Sequence, residues 1–399
     1  MPTDPLALYV HVPFCGVRCS YCAFNVVTHR EAQIPRFVDA VRNELRWLGT
    51  GPADSALADA ALGGVAIHTI YLGGGSPSLL TTGQVDAILG TIRSAFAVTP
   101  GAEISIEINP DSLPDDYLDR LRATGVNRLS VGMQSAHADE LRLFTRQHTP
   151  ADVGRVMRLA RAAGFENTNL DLIYGIPGQT LARWNATLEA ALALAPDHLS
   201  LYALQVEEKT ALAHWIARGD VPTPDDDLAA DMYDLADTLT AAAGLCQYEI
   251  SNWARPGQEC RHNLHYWRNL PYLGVGPGAH GYAAGQRYEV IRSLGRYIET
   301  ALRIDSPPSF PITPTVENWE KIDIRSQMAE HMITGLRLLK EGVSAAGFQE
   351  RFGVSLHARF GPAIAKLTAD GLLDERDGTL RLTRAARLVS NRVFVEFVD

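Results

Sequence analysis

With 399 residues, 46% of them hydrophobic and 21% charged, the chain has the composition of an ordinary globular protein, long enough for one large domain and one or two small ones. A formal net charge of −10 argues against a general nucleic-acid surface. No apolar run approaches the ~18 residues of a membrane helix and no basic-then-apolar leader opens the chain; a cytoplasmic protein without an integral membrane segment is predicted, with peripheral membrane contact left open.

A β-branched run beginning at Leu8 predicts a first strand. The loop after it holds Cys15, Cys19 and Cys22 in C-x3-C-x2-C spacing, with Tyr21 before the third. A disulfide framework needs pairing and an oxidising compartment, which three clustered cysteines do not suggest. A structural zinc site wants a fourth Cys or His, usually as two C-x2-C pairs. An iron–sulfur cubane differs: given three thiolate ligands it keeps one iron open to chelate a substrate or cofactor.

Phe37, Val38, Val41, Leu45 and Leu48 then fall on one face of a helix between Pro35 and the Gly49/Gly51 breakers. A weakly patterned Gly/Ala-rich linker is expected over 50–65. His68–Leu72 reads as a buried strand running into Gly73-Gly74-Gly75-Ser76-Pro77-Ser78, where the absence of Cβ atoms lets backbone approach a polar ligand, although such a loop alone is more often a tight turn. Ile104–Ile108 is a further strand; Glu107 within it is costly to bury unless paired, and is read either as a ligand contact or as a solvated edge residue or salt bridge.

Asp111 is read as the N-cap of the next helix and Gly125 as lying just past its end. Strand 128–133 leads to Gln134, Thr149-Pro150 opens a helix that stops at Gly164, strand 168–174 carries Asp171, and a sixth strand spans 198–204. Six strands alternating with helices imply an α/β fold with a parallel sheet.

After about residue 205 this rhythm fails. Residues 206–240 are acidic and helix-prone, broken around Pro222 and Asp225. Cys260, His262 and His265, with Tyr248, Trp253, Tyr266 and Trp267, suit an aromatic site with metal-ligand chemistry; equally, the aromatics pack this segment on the preceding α/β part and His262 is a hydrogen-bonded core histidine. Cys260 is an alternative ligand, and Cys246 has no assigned role. Tyr272–Gly281 reads as a Gly-rich turn in which His280 is a second candidate ligand or merely a turn residue.

A helix is expected over 323–340, then helices around Phe348 and Phe360 and a hairpin at Asp377-Gly378, the layout of a winged helix. Residues 342–399 hold eight Lys/Arg against seven Asp/Glu, which is no basic footprint for nucleic acid; packing over the substrate side or docking a partner protein is expected instead.

The cysteine triplet with its aromatic resembles the signature of radical S-adenosylmethionine (SAM) proteins. The fuller string HVPFCxxxCxYCxF resembles the branch containing oxygen-independent coproporphyrinogen III oxidase and the HemW heme chaperones. The resemblance implies that Cys15, Cys19 and Cys22 ligate a [4Fe–4S] cluster whose open iron binds SAM, that Gly74, Gly75 and Ser76 hold the methionyl end, and that Glu107 contacts the cofactor. Tyr9, Tyr21, Gln134, Arg146 and Asp171 match positions around it, with a core aromatic as the plain alternative for Tyr9 and a surface cation for Arg146.

The string His262-Asn263-x-x-Tyr266-Trp267 is similar to the HNxxYW element of HemW proteins, implicated in heme binding. The implied fold is a partial (β/α)6 radical SAM barrel over 1–205, an accessory α/β segment with the heme motif over 206–310, and a C-terminal winged-helix-like domain over 311–399. Two functions follow: a chaperone that delivers heme to acceptor proteins, or an oxidase that decarboxylates coproporphyrinogen III. The oxidases carry a further cysteine where this chain has Phe24, and a much longer arm than the 14 residues before Cys15. Both departures favour the chaperone, and a heme-degrading radical methyltransferase relative stands third. Whether SAM is cleaved in a radical reaction is left open.

Overall fold

The computed structural model describes residues 5–49, 66–111, 113–303 and 310–398; the linker expected over 50–65 lies outside the described residues. Strands β1 (Leu6–Val12), β2 (Ile67–Gly74), β3 (Val98–Ile108), β4 (Arg128–Gln134), β5 (Asn167–Tyr174) and β6 (His198–Ala203) alternate with helices and lie side by side in chain order, each parallel to the next. Helix α1 (Ile34–Gly49) buries the expected apolar face, Phe37, Val41, Leu45 and Leu48. The helix from Pro150 opens with a capping box between Thr149 and Asp152, a device worth about 1 kcal/mol.

Two local expectations are corrected. Asp111 caps no helix: the chain turns again at Pro114, whose carbonyl accepts from Tyr117 N, and the helix spans Tyr117–Ala123 after Asp116. Gly125 does lie past its end, at φ +98°. The Gly-rich stretch from Tyr272 is no mere turn, because Tyr272–Val275 forms a strand parallel to β1.

That strand enlarges the sheet. Strands β7 (Cys246–Glu249) and β8 (Asn252–Ala254) extend the β6 edge antiparallel, while β9 (Tyr272–Val275), β10 (His280–Ala283), β11 (Gln286–Val290) and β12 (Val316–Lys321) extend the β1 edge. The order β12-β11-β10-β9-β1-β2-β3-β4-β5-β6-β8-β7 is linear, so the sheet is an open, partial barrel.

Strand alternation sorts its two faces. Ile70, Leu72, Ile106, Leu129, Val131, Leu170, Leu172 and Leu199 are buried in the apolar layer under the helices. The alternate positions carry Thr69, Tyr71, Glu103, Glu107, Arg128, Asn169, Asp171 and His198, which makes the inner face polar.

The C-terminal part has its own core of Met328, Met332, Phe348, Phe360, Ile364, Leu367, Leu380 and Phe394. Helices Ile324–Gly335, Ala345–Phe352 and Leu356–Ala369 pack with a three-stranded sheet whose hairpin turns at Asp377 and Gly378, both at positive φ. It docks on the barrel through Arg337 to the fully buried Glu249 (2.9 Å) and a two-pronged Arg268–Glu341 pair.

Candidate functional site

The cysteine loop is closed at its base. Phe14–Cys15 pairs with Val27–Thr28, and Val27 N donates to Pro13 O. Its tip is pinned by Ser20, whose hydroxyl donates to Leu143 O (2.7 Å) and whose amide donates to Phe144 O. Cys15, Cys19 and Cys22 are half-buried and act electrostatically on one another; loss of hydration pushes the Cys15 thiol up to about 11 and raises Cys22. Iron must therefore displace protons to bind them. Among the described residues no three His, Cys, Asp or Glu side chains converge as a single-ion site.

The adjoining GGGS loop is packed against that segment. A Cβ at Gly75 would stand 2.6 Å from Phe14 O, and one at Gly74 (φ +111°) 2.4 Å from the His11 ring. The loop amides are committed: Gly75 N donates to Val12 O, Ser76 N to Phe14 O and Gly74 N to Glu107 Oε2. The glycines thus serve close packing, and a ligand meets the loop with its amides already used. Ser76 Oγ lies 3.7 Å from Cys15 Sγ and accepts from Asn109 Nδ2 (3.0 Å).

Glu107 also accepts from Tyr71 OH (3.2 Å). Loss of hydration, then the neighbouring Asp171, raise its pKa to about 7; Asp171, held by Ser130 and Asn169, is raised by burial as well. Neither carboxylate has an ion-pair partner among the described residues, although Arg146 acts on Glu107 and Arg128 on Asp171; two such carboxylates fit a positively charged ligand, and SAM brings an ammonium and a sulfonium. Arg146 donates to Asn109 and to Tyr21 OH (3.1 Å) while its enclosed Nε has no partner, a donor suited to a carboxylate. Tyr9 reaches this region through His11 Nδ1 (3.0 Å), and Gln134 is buried at the end of β4 with φ +62°.

His262 lies on helix α2 (Arg261–Trp267), which closes the lumen beside β2 and β3. Glu103 caps this helix from β3, accepting from Arg261 N and His262 N at 3.0 Å each. The imidazole is 1% exposed, with Nδ1 bonded to Thr69 Oγ1 and Nε2 to Tyr266 OH, both 2.9 Å. Burial holds it neutral, and its ring lies 5.2 Å from that of Tyr71. Cys260 is fully buried with its thiol directed at Glu103.

A cavity of ≈ 700 Å³ opens between the strand ends, α2, the β9–β10 loop and the C-terminal domain. Gly74, Glu107 and Tyr9 line one side, Tyr266, Trp267 and Tyr272 another, and His280, Arg287 and Arg292 a third; Phe24, from the cysteine loop, is 65% exposed at its edge. The structure therefore brings the cysteine loop, Glu107 and the Tyr266–Trp267 end of the motif to one opening, and leaves His262 and Cys260 behind its wall.

Several residues here escaped sequence reading. Asn109 joins Ser76 to Arg146, Asn25 ties the cysteine loop to Pro277 O and Arg292 O (2.9 Å each), and Glu44 of α1 accepts from Gly276 N in the β9–β10 loop (2.9 Å). Only Glu44, a carboxylate on the apolar face of its helix, left a signal in the local pattern.

Strand-end cysteines beside a Gly-rich loop and paired carboxylates, set in an open parallel barrel, define a radical SAM protein. The Radical SAM superfamily model matches residues 9–191, and the HemN C-terminal domain model matches 323–389. The chain is 38% identical to the heme chaperone HemW of Mycobacterium tuberculosis H37Rv over 98% of its length and 95% of that protein, and 34% identical to that of Bacillus subtilis over 98% of both. The fold is similar to that of Escherichia coli coproporphyrinogen III oxidase (HemN), with a TM-score of 0.82 and 24% identity over 100% of this chain and 91% of that one. This chain belongs to the HemW family of the radical SAM superfamily, and the family implies a [4Fe–4S] cluster and SAM. Among the described residues no helix is long and apolar enough to cross a membrane.

Proposed function

We propose that this protein is a cytoplasmic heme chaperone that takes heme into the ≈ 700 Å³ cavity and passes it to acceptor proteins. The observation that carries this reading is the continuity of that cavity from Gly74 and Glu107 to Tyr266 and Trp267. Aromatic walls suit a flat macrocycle, and Arg287 and Arg292 suit its two carboxylates.

Cys15, Cys19 and Cys22 hold the [4Fe–4S] cluster. Glu107 and Asp171 take the cationic groups of SAM, Arg146 its carboxylate, and Gly74, Gly75, Ser76, Tyr9, Tyr21 and Gln134 shape the cleft. When bound, the cluster would supply one-electron redox chemistry and an open iron position for SAM. Arg146 orients Tyr21 and Asn109 at once, so the cysteine loop and the GGGS loop are held against each other before either group arrives. Residues 1–205 carry the cluster and SAM, 206–310 the heme wall, and 311–399 the cover.

The test is an anaerobic assay of cluster-reconstituted protein with reductant, SAM and coproporphyrinogen III, run beside transfer of bound heme to an apo-acceptor. Heme transfer without porphyrinogen turnover is expected. Sustained formation of protoporphyrinogen over many turnovers would overturn the chaperone reading in favour of the oxidase.

A further inference from the structure

We infer that His280, and not His262, ligates the heme iron, and that His262 is a positioning residue that sets Tyr266 in the cavity wall. This rests on the heme-binding reading above.

Heme iron takes His, Cys or Tyr as an axial protein ligand in most heme proteins, with Met in some. Two histidines line the cavity, His11 and His280. His11 is 6% exposed, and both its nitrogens are bonded, to Tyr9 OH and to Asn25 O (2.9 Å). His262 is likewise bonded at both nitrogens and lies behind Tyr266. Cys260 does not reach the opening, and His265 is buried with Nε2 on Pro271 O. Of the lining tyrosines, Tyr9 and Tyr266 have phenols already bonded to His11 and His262, and burial raises all four, Tyr9, Tyr266, Tyr272 and Tyr282, so that iron would have to displace a phenol proton where an imidazole nitrogen can bind without losing one. No methionine or cysteine lines the cavity among the described residues.

His280 has the opposite setting. It is exposed, lines the cavity, and among the described residues makes no hydrogen bond through its ring. It opens β10 directly opposite Glu289 of β11, and its Nε2 lies 4.0 Å from Glu289 Oε1, just beyond bonding distance. A carboxylate that takes the second ring proton of a ligating imidazole raises its basicity and fixes its orientation. The alternation of the two strands places His280 and Tyr282 on one face with Arg287 and Glu289, while Gly281 packs under the Tyr288 ring. The ligand is thus mounted on paired strands. Its loop is anchored at the far side by Gly276 N on Glu44 and by Asn25 on Pro277 O.

The experiment is a hemin titration of the full chain, followed by the Soret band and low-spin electron paramagnetic resonance, for the unsubstituted protein and for H280A, H280G, H262Q and E289Q. H280A should weaken heme about tenfold or more and abolish the imidazole-ligated spectrum. Added imidazole should restore that spectrum in H280G, which a merely structural role would not allow. H262Q, able to bond both Thr69 and Tyr266, should keep the wild-type spectrum, and E289Q should raise the heme reduction potential. An unchanged spectrum and affinity in H280A, or loss of the imidazole signature in folded H262Q, overturns the assignment alone. Absence of heme binding by the unsubstituted protein overturns the heme reading and this assignment with it.

Discussion

His262 and His280 stand close in the chain and in opposite surroundings. His262 belongs to the closed side of the molecule, where α2 seals a polar lumen and both nitrogens of its own ring have partners. His280 belongs to the open side, where strand ends, loops and the C-terminal domain leave a cavity and side chains remain available. A dense motif and an accessible ligand are different things: a buried polar group must be satisfied internally or the fold loses stability, and an imidazole bonded at both nitrogens has none left for iron.

The strongest way to break this contrast lies at the cysteines on the open side. Replacing Cys15, Cys19 or Cys22 with Ala should abolish the reconstituted cluster, read as loss of its visible absorbance and bound iron; a variant that keeps full absorbance removes the ligand assignment.

On the closed side the largest effect should be on stability. E103A would strand the amides of Arg261 and His262 inside the protein, costing about 3 kcal/mol. A lower urea midpoint should show it, and an unshifted midpoint would mean that α2 is not held in this way.

Between the two sides sits Glu107. Its pKa rises on folding from 4.5 to about 7, so the folded state favours the protonated carboxyl and loses stability as pH climbs from 4.5 through 7. A bound cation reverses that preference. SAM affinity should therefore increase about tenfold from pH 6 to pH 8 as the carboxylate forms, and E107Q should bind weakly with no such slope. Calorimetry across that range checks both; a flat profile in the unsubstituted protein would place the SAM cation elsewhere.

The smallest effect should come from the cover. Arg287 spans to Glu330 of the C-terminal domain at 2.8 Å, both side chains partly exposed, and such pairs contribute at most about 1 kcal/mol. R287A should leave the thermal midpoint nearly unchanged yet weaken heme a few-fold; unaltered heme affinity would remove Arg287 from the carboxylate site.

Much of this architecture was legible in the chain. The six strands, α1 and the Thr149 cap follow from periodicity and capping chemistry, which act within one or two turns of backbone. The C-terminal hairpin was marked by Asp377-Gly378. Asp111 misled because Pro114 imposes a further turn before the helix. Tyr272–Val275 was read as a turn because its glycines hide a strand whose partner, β1, lies some 260 residues earlier. Asn25, Asn109 and Glu103 were invisible for a similar reason, each acting across elements that meet only in the folded protein.

By itself, then, the sequence determined the cysteine triplet, the Gly-rich loop, the βα rhythm and the family they define, because these are set by residue type and short spacing. Tertiary structure alone decided which side chains are consumed and which are free. Hydrogen-bond satisfaction and solvent access depend on what packs against a residue, and for His262 and His280 that is settled by strands, helix and loop drawn from opposite ends of the chain.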